Sequence, residues 1–327
     1  MESRDNASAA RSCFFLAGIG AAVALVLCVL IVLTLAPFDV LPRQPTVPPD
    51  QRGTVVTQPG SVLTFALIDV GQGMCVVVIS PDGRSMVVDA GRSGQRVEQQ
   101  VIPYLRARGV ERIDYLVLTH PDEDHVGGMP AFLENIPVGA WVDPVIETTN
   151  QTYAQTLEMV IDRGIVGMRA RRDEALDLGV GVTVDVLWPV DPMLLSSGQP
   201  DTNSNSIVLQ VTHGSIRLLI TGDVDARAEA RLIELETNED LRSDVLVVAH
   251  HGSRTSSTAP FLDIVSPSVG LIPVGLDNQY GHPHDEVVQR LRFRSVRIYR
   301  TDLDGTIEVV SDGESYQVTV LGPGGAP

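Results

Sequence analysis

From about residue 60 onward, apolar and polar positions alternate or cluster in short runs. This pattern predicts strands and helices in mixed order. SVLTFALIDV, MCVVVIS and SMVVDAG read as three successive strands with tight turns at GQG and SPDGR. A helix follows over about 97–108, then the apolar strand IDYLVLT. A short helix is expected to begin near Gly127, and another covers about 153–163. VTVDVLWP reads as a strand, and SIVLQV with IRLLITG as an antiparallel hairpin about THGS. Residues 225–236 are helical, DVLVVA and VGLIPVG are buried strands, and 285–292 is a helix. SVRIYRT and GTIEVVS read as two edge strands. One α/β domain over 60–327, with two mostly antiparallel sheets covered by helices, fits this order.

The first 59 residues follow another pattern. After a short tail at 1–13, residues 14–36 carry no charge, and 23 apolar residues can cross a hydrocarbon core of ~30 Å as a helix. A cleaved signal peptide is the competing reading, but its apolar core runs only about 7–15 residues. Arg4 and Arg11 precede the run and Arg43 follows it, which favours an internal N-terminus and an external domain. Residues 37–59 hold Pro37, Pro42, Pro45, Pro48, Pro49 and Pro59, the composition of a stiff spacer. The expectation is a single-pass, membrane-anchored protein with its domain outside the cytoplasm.

Formal net charge is −17, and all 24 basic residues are arginine. Such a surface repels polyanions at long range, which counts against a non-specific nucleic-acid coat. A nuclease is not excluded, because bound metal ions invert the local field. Cys75 is the sole cysteine beyond the apolar run, so the domain holds no internal disulfide, and its place in MCVVVIS makes it a core residue. No feature names a protein partner.

The chemistry is concentrated in histidine. Six of the seven histidines fall in three close pairs: HPDEDH (120–125), HHGS (250–253) and GHPH (281–284). Each pair follows an apolar strand or its loop, so the three can meet at one end of the sheets. Histidine with aspartate suits first-row metals. His120 and Asp122, two apart in extended chain, point the same way. Asp124 and His125, at the turn into a helix, can face a second ion. His213 lies across a strand from Asp223, roughly 20–25 Å away. It is therefore read as a surface turn residue.

His120 to Gly128, H-x-D-x-D-H-x-G-G, resembles the H-x-H-x-D-H motif of the metallo-β-lactamase superfamily. With aspartate at 122, it is similar to the C-terminal domain of ComEC-type DNA-uptake proteins. DVGQG, VVDAG, NSNSIVL, LLITGD, AHHGSRTSS and YGHPH agree, in family order, over about 62–310. The resemblance implies an αββα sandwich with two divalent ions, Zn²⁺ or Mn²⁺, at the edge between the sheets. His120 and Asp122 would hold one ion. Asp124, His125 and His251, or alternatively His250, would hold the other, and Asp223 would bridge them. Asp69 and Asp89 would orient these side chains. Asn205 and Ser206 stand where a third-motif histidine is absent and are candidates for the substrate side, together with Ser253, Arg254, Thr255 and Ser256. An activated water near Asp124 and Asp223 would be the nucleophile, with His282 or His284 meeting the leaving group. The implied function is a phosphodiesterase or nuclease acting on an anionic substrate, DNA or another phosphodiester. The alternatives are a hydrolase of a phosphorylcholine-type ester or lactone, and an anchored protein that binds without catalysis.

Overall fold

The computed structural model describes residues 62–276 and 278–322. Three short apolar strands, β1 (Leu63–Leu67), β2 (Val76–Ile79) and β3 (Ser85–Val88), form an antiparallel meander. β4 (Ile113–Val117), β5 (Val138–Asp143) and β6 (Val166–Arg169) then add in parallel through helical crossovers. β7 (Ala175–Asp177) and β8 (Val182–Trp188) open a second sheet. A two-residue pair, β9 (Leu195–Ser196) with β10 (Gln199–Pro200), lies in the connection that follows. β11 (Val208–His213) and β12 (Ile216–Ile220) make the expected hairpin. β13 (Val245–Val247), β14 (Val269–Ile272) and β15 (Arg297–Arg300) extend it in parallel. β16 (Thr306–Ser311) and β17 (Tyr316–Gly322) return to the first sheet beside β1. The first sheet runs β17-β16-β1-β2-β3-β4-β5-β6, and the second β15-β14-β13-β12-β11-β8-β7.

The strand pleat explains the layers. Successive side chains point to opposite faces, so a strand buried on both sides serves two cores. Leu63, Phe65 and Leu67 of β1 face Leu209, Val211, Leu218 and Ile220 in one core between the sheets. Ala66 of β1 joins Val77, Leu116, Leu105 and Phe132 under the helices of the first sheet. Leu219 and Leu246 join Leu232, Phe261, Leu262 and Leu291 under those of the second. The result is helix, sheet, sheet, helix, a mixed α/β fold as expected.

Three expectations are corrected. The sheets are more evenly mixed than expected, with four antiparallel and three parallel pairings in the first and three of each in the second. GTIEVVS is not an edge, because β17 covers β16. β5, β6, β7, β17 and the helix Ala259–Val265 were not foreseen. β6 is largely exposed and shows no apolar alternation to read, whereas β17 does alternate, Tyr316, Val318 and Val320 against Gln317 and Thr319, and was overlooked.

The membrane placement is also corrected. Among the described residues no helix is long and apolar enough to cross a membrane. A span needs about 20 apolar residues, whereas the helix Gln151–Asp162 has 12 residues and buries one face only. The apolar run at 14–36 and the spacer at 37–59 lie outside the described residues.

Candidate metal centre

The three histidine pairs meet because of strand direction. Asp89 follows β3, HPDEDH follows β4, Asp223 follows β12, HHGS follows β13, and YGHPH lies in the loop after β14. β3 and β4 are parallel, as are β12, β13 and β14, so these loops leave the sheets at carboxyl ends on one side. That is where α/β folds place their ligands.

His120, His125 and His251 are buried, and each commits its Nδ1 to a protein acceptor. His125 Nδ1 donates to Asp89 Oδ2 at 2.5 Å. His251 Nδ1 donates to the Pro273 carbonyl at 2.8 Å. His120 Nδ1 lies 3.1 Å from Thr119 Oγ1, which itself donates to Asp89 Oδ2 at 2.6 Å. Nδ1 therefore carries the proton, and the lone pair is left on Nε2. All three Nε2 atoms are buried without a hydrogen-bond partner. They converge on two carboxylates. His125 Nε2 is 3.3 Å from Asp223 Oδ1, and His251 Nε2 is 3.4 Å from Asp124 Oδ2 and 3.5 Å from Asp223 Oδ2. His120 Nε2 is 3.9 Å from Asp223 Oδ2 and 3.8 Å from Asp122 Oδ2.

Unpartnered buried polar atoms are costly, and a cation would satisfy this set. Among the described residues, two groups have the spacing to hold a metal ion: His120, His125 and Asp223, and Asp124, His125 and His251. Nitrogen and carboxylate oxygen donors fit a divalent first-row ion. The two carboxylates draw positive charge, and a proton on His251 competes with a metal ion for its Nε2. Burial disfavours ionisation of Asp223, but His251 and His125 outweigh it and hold its carboxyl well below the usual range. Burial opposes protonation of His251, yet Asp223 and Asp124 outweigh it and lift it to about 10. Burial and the neighbouring His125 push His120 down to about 3.

The remaining candidates sort by what they touch. Asp89 braces the centre, accepting also from the Thr119 N–H at 2.7 Å. Asp69 does not face the metal ligands. Its carboxylate accepts from the Gly71 N–H at 3.0 Å and shapes the DVGQG loop. That loop supplies Gln72, whose Nε2 donates to Asp124 Oδ2 at 3.2 Å. Gln72 and Thr119 were missed. Gln72 lies inside DVGQG and Thr119 directly before HPDEDH, and that placement was their signal. His250 Nε2 lies 3.7 Å from Asp223 Oδ2, but only His251 enters a metal-spaced group. Asp122 stands partly exposed at the rim, and burial still pushes its carboxyl up.

Asn205, Ser206 and Ser256 are not substrate-facing, because all three are fully buried and engaged. Asn205 ties down the backbone of Leu194 and Asp201. Ser206 Oγ accepts from the Asp223 N–H at 3.2 Å. Ser256 Oγ donates to the Val224 carbonyl at 2.7 Å. Ser253 Oγ and Thr255 Oγ1 lie 2.9 Å apart. Thr255 lines a cleft beside the centre with His250, Asn203 and Thr202, of which the last two were missed. The Arg254 guanidinium points away, its Nε 3.9 Å from Glu286, while its N–H donates to His284 Nδ1 at 3.2 Å. His282 stacks against His251 with ring centroids 6.2 Å apart, and burial together with the neighbouring histidines pushes it down to about 4. His213 is corrected as well. It is buried, not exposed, with Nδ1 3.2 Å from Ser311 Oγ, and it lies at the opposite end of the hairpin from Asp223.

The model of the metallo-beta-lactamase superfamily matches residues 68–275. The chain is 31% identical to ComE operon protein 3 of Bacillus subtilis over 257 residues, 74% of this chain and 32% of that one. It is 35% identical to competence protein ComA of Neisseria gonorrhoeae over 240 residues, 73% of this chain and 31% of that one. The chain thus spans about a third of the length of these relatives. Among solved structures, the metallo-beta-lactamase fold protein YhfI of Bacillus subtilis aligns with a TM-score of 0.51 at 12% identity. It covers 76% of this chain and 99% of that one, a likeness of fold alone.

Proposed function

The chain belongs to the metallo-β-lactamase superfamily, and on that premise we propose that its metal centre hydrolyses phosphodiester bonds in an anionic substrate, DNA or another phosphodiester. One observation carries the hydrolase reading. Three buried imidazoles turn unpartnered Nε2 atoms toward the Asp124 and Asp223 carboxylates. Two divalent ions, Zn²⁺ or Mn²⁺, would be held there by His120, Asp122, Asp124, His125, Asp223 and His251. When bound they supply Lewis acidity and an activated water at neutral pH.

The chain's own groups do the rest. Asp89, Thr119, Pro273 and Gln72 fix the direction of the ligands. His284 Nδ1 accepts from the Arg254 N–H, so neutral His284 carries its proton on Nε2 and can donate a hydrogen bond from there to a departing oxygen. Thr255, Asn203 and Thr202 offer hydroxyl and amide groups along the adjoining cleft. A phosphodiester is favoured over a neutral ester by similarity to a protein named for competence.

The test is reconstitution of the full-length chain with Zn²⁺ or Mn²⁺. Elemental analysis should show about two equivalents. Asp223→Ala should lose most of the metal and the hydrolysis of a single-stranded oligonucleotide. A fully loaded protein that opens a lactone and leaves every phosphodiester intact overturns the assignment.

A further inference from the structure

A column of rings leads out of the metal centre. His251 stacks on His282 (centroids 6.2 Å apart, planes 26° apart), and His282 stacks on Tyr280 (5.8 Å, 25°). Near-parallel planes repeated twice are a stacking geometry rather than edge-to-face packing. The column ends in solvent, since Tyr280 is 48% exposed. Its hydroxyl is held from the other sheet, where Arg92 Nη2 donates to Tyr280 Oη at 3.3 Å. Arg92 follows β3 and Tyr280 follows β14, so this bond joins the two sheets' loops at the lip of the site. A guanidinium carries five donors and one goes to Tyr280. An exposed ring with a cation at its edge is thus set at a fixed distance along the stack from the candidate ligand His251.

We infer that Tyr280 and Arg92 form a specificity element that receives a planar aromatic group of the substrate next to the scissile phosphodiester. A nucleobase on Tyr280 extends the column. Arg92 orients the phenol and meets the neighbouring phosphate, which its planar fork matches. The inference rests on the phosphodiesterase reading and adds to it a requirement for a flat ring. Stacking of one base on an aromatic side chain changes binding roughly 5- to 150-fold.

The experiment compares two single-stranded oligodeoxythymidylates of equal length, one with internal residues that lack bases. It uses the full-length chain loaded with divalent metal. The wild type should prefer the base-bearing strand in kcat/KM. In Tyr280→Ala that preference should fall about tenfold, chiefly through KM, with metal content unchanged. Tyr280→Phe keeps the ring and should keep most of the preference. Arg92→Ala should lose part of it. Equal losses on both strands in Tyr280→Ala, or no preference in the wild type, overturn this inference and leave the phosphodiesterase reading standing. No turnover of either strand by loaded wild type overturns both.

Discussion

At the scale of single residues, the centre is built by what surrounds its histidines. The ligands themselves are legible in the sequence because histidine is rare here and paired. Their supports are not, since Thr119 and Gln72 are ordinary polar residues until the fold points them inward. His213 failed for a related reason. Its turn is covered by a distant one, with the Ser215 N–H bonded to the Gly313 carbonyl at 2.7 Å, and nothing local in THGS announces that lid. Asp89 offers the sharpest residue-scale test. Its Oδ2 accepts from both His125 Nδ1 and Thr119 Oγ1. In Asp89→Asn the amide nitrogen meets either both of those donors or the Thr119 N–H that bonds the other oxygen, and in either case the imidazole loses its charged anchor. Metal affinity should fall about 10- to 100-fold, as is usual when such a support is lost. Competition with a chromophoric chelator measures it. Unchanged affinity would show that Asp89 serves only the backbone of Thr119.

At the scale of elements, strands of continuous or alternating apolar residues were legible, and their pairing mates were not. β5 carries a glycine and β6 lies largely exposed, so their places are set by neighbours instead of by their own pattern, while the alternation of β17 in YQVTV was present but brief. The loops between elements are tightly fitted to the site. Gly73 has φ +106°, and a Cβ there would meet the Asp124 carbonyl oxygen at 1.9 Å. Gly73→Ala should therefore displace the helix Glu123–Val126 that carries Asp124 and His125. The expected result is a stability loss on the order of 1–3 kcal/mol in denaturant titration, with metal binding impaired. The AHHGSRTSS loop is pinned from beneath. Glu229 is buried and accepts from the Ser257 N–H at 2.5 Å and the Thr258 N–H at 2.8 Å. Arg290 donates to the Ser256 and Ser257 carbonyls at 3.0 Å each. Burial lifts the Glu229 carboxyl from 4.5 to about 7, against those N–H groups and Arg290. A carboxyl with a raised folded value is stabilising while protonated. That contribution is whole below pH 4.5 and drains away as pH rises to about 7. Glu229→Gln cannot titrate, so the wild-type Tm should decline relative to this variant across that window and run parallel to it above. A constant difference from acid to neutral pH would mean that Glu229 titrates alike in the folded and unfolded chain.

At the scale of the whole molecule, the helix–sheet–sheet–helix order was legible, but the return of β16 and β17 to the first sheet was not. That closure joins residues more than 200 apart, such as Tyr104 and Glu308, and no local pattern encodes it. Net charge was legible at once, and it sets a problem for the proposed substrate. A chain of charge −17 and a polyanion repel each other before any contact is made. Most nucleic-acid binding weakens with salt, because cationic side chains release counterions from the phosphates. Here the long-range term has the opposite sign. The Debye length shortens from ~30 Å at 0.01 M to ~10 Å at 0.1 M, and screening over that range should ease encounter with a strand. The kcat/KM for an oligonucleotide should therefore rise several-fold as monovalent salt increases from about 0.01 to about 0.1 M. A small singly charged phosphodiester should change much less, since its repulsion is weaker in proportion to its charge. Both substrates meet the same metals, so the difference between them isolates approach from chemistry. A steady fall for the oligonucleotide over the whole range would mean that Arg92, Arg254 and the bound ions form a local cationic track that outweighs the acidic body.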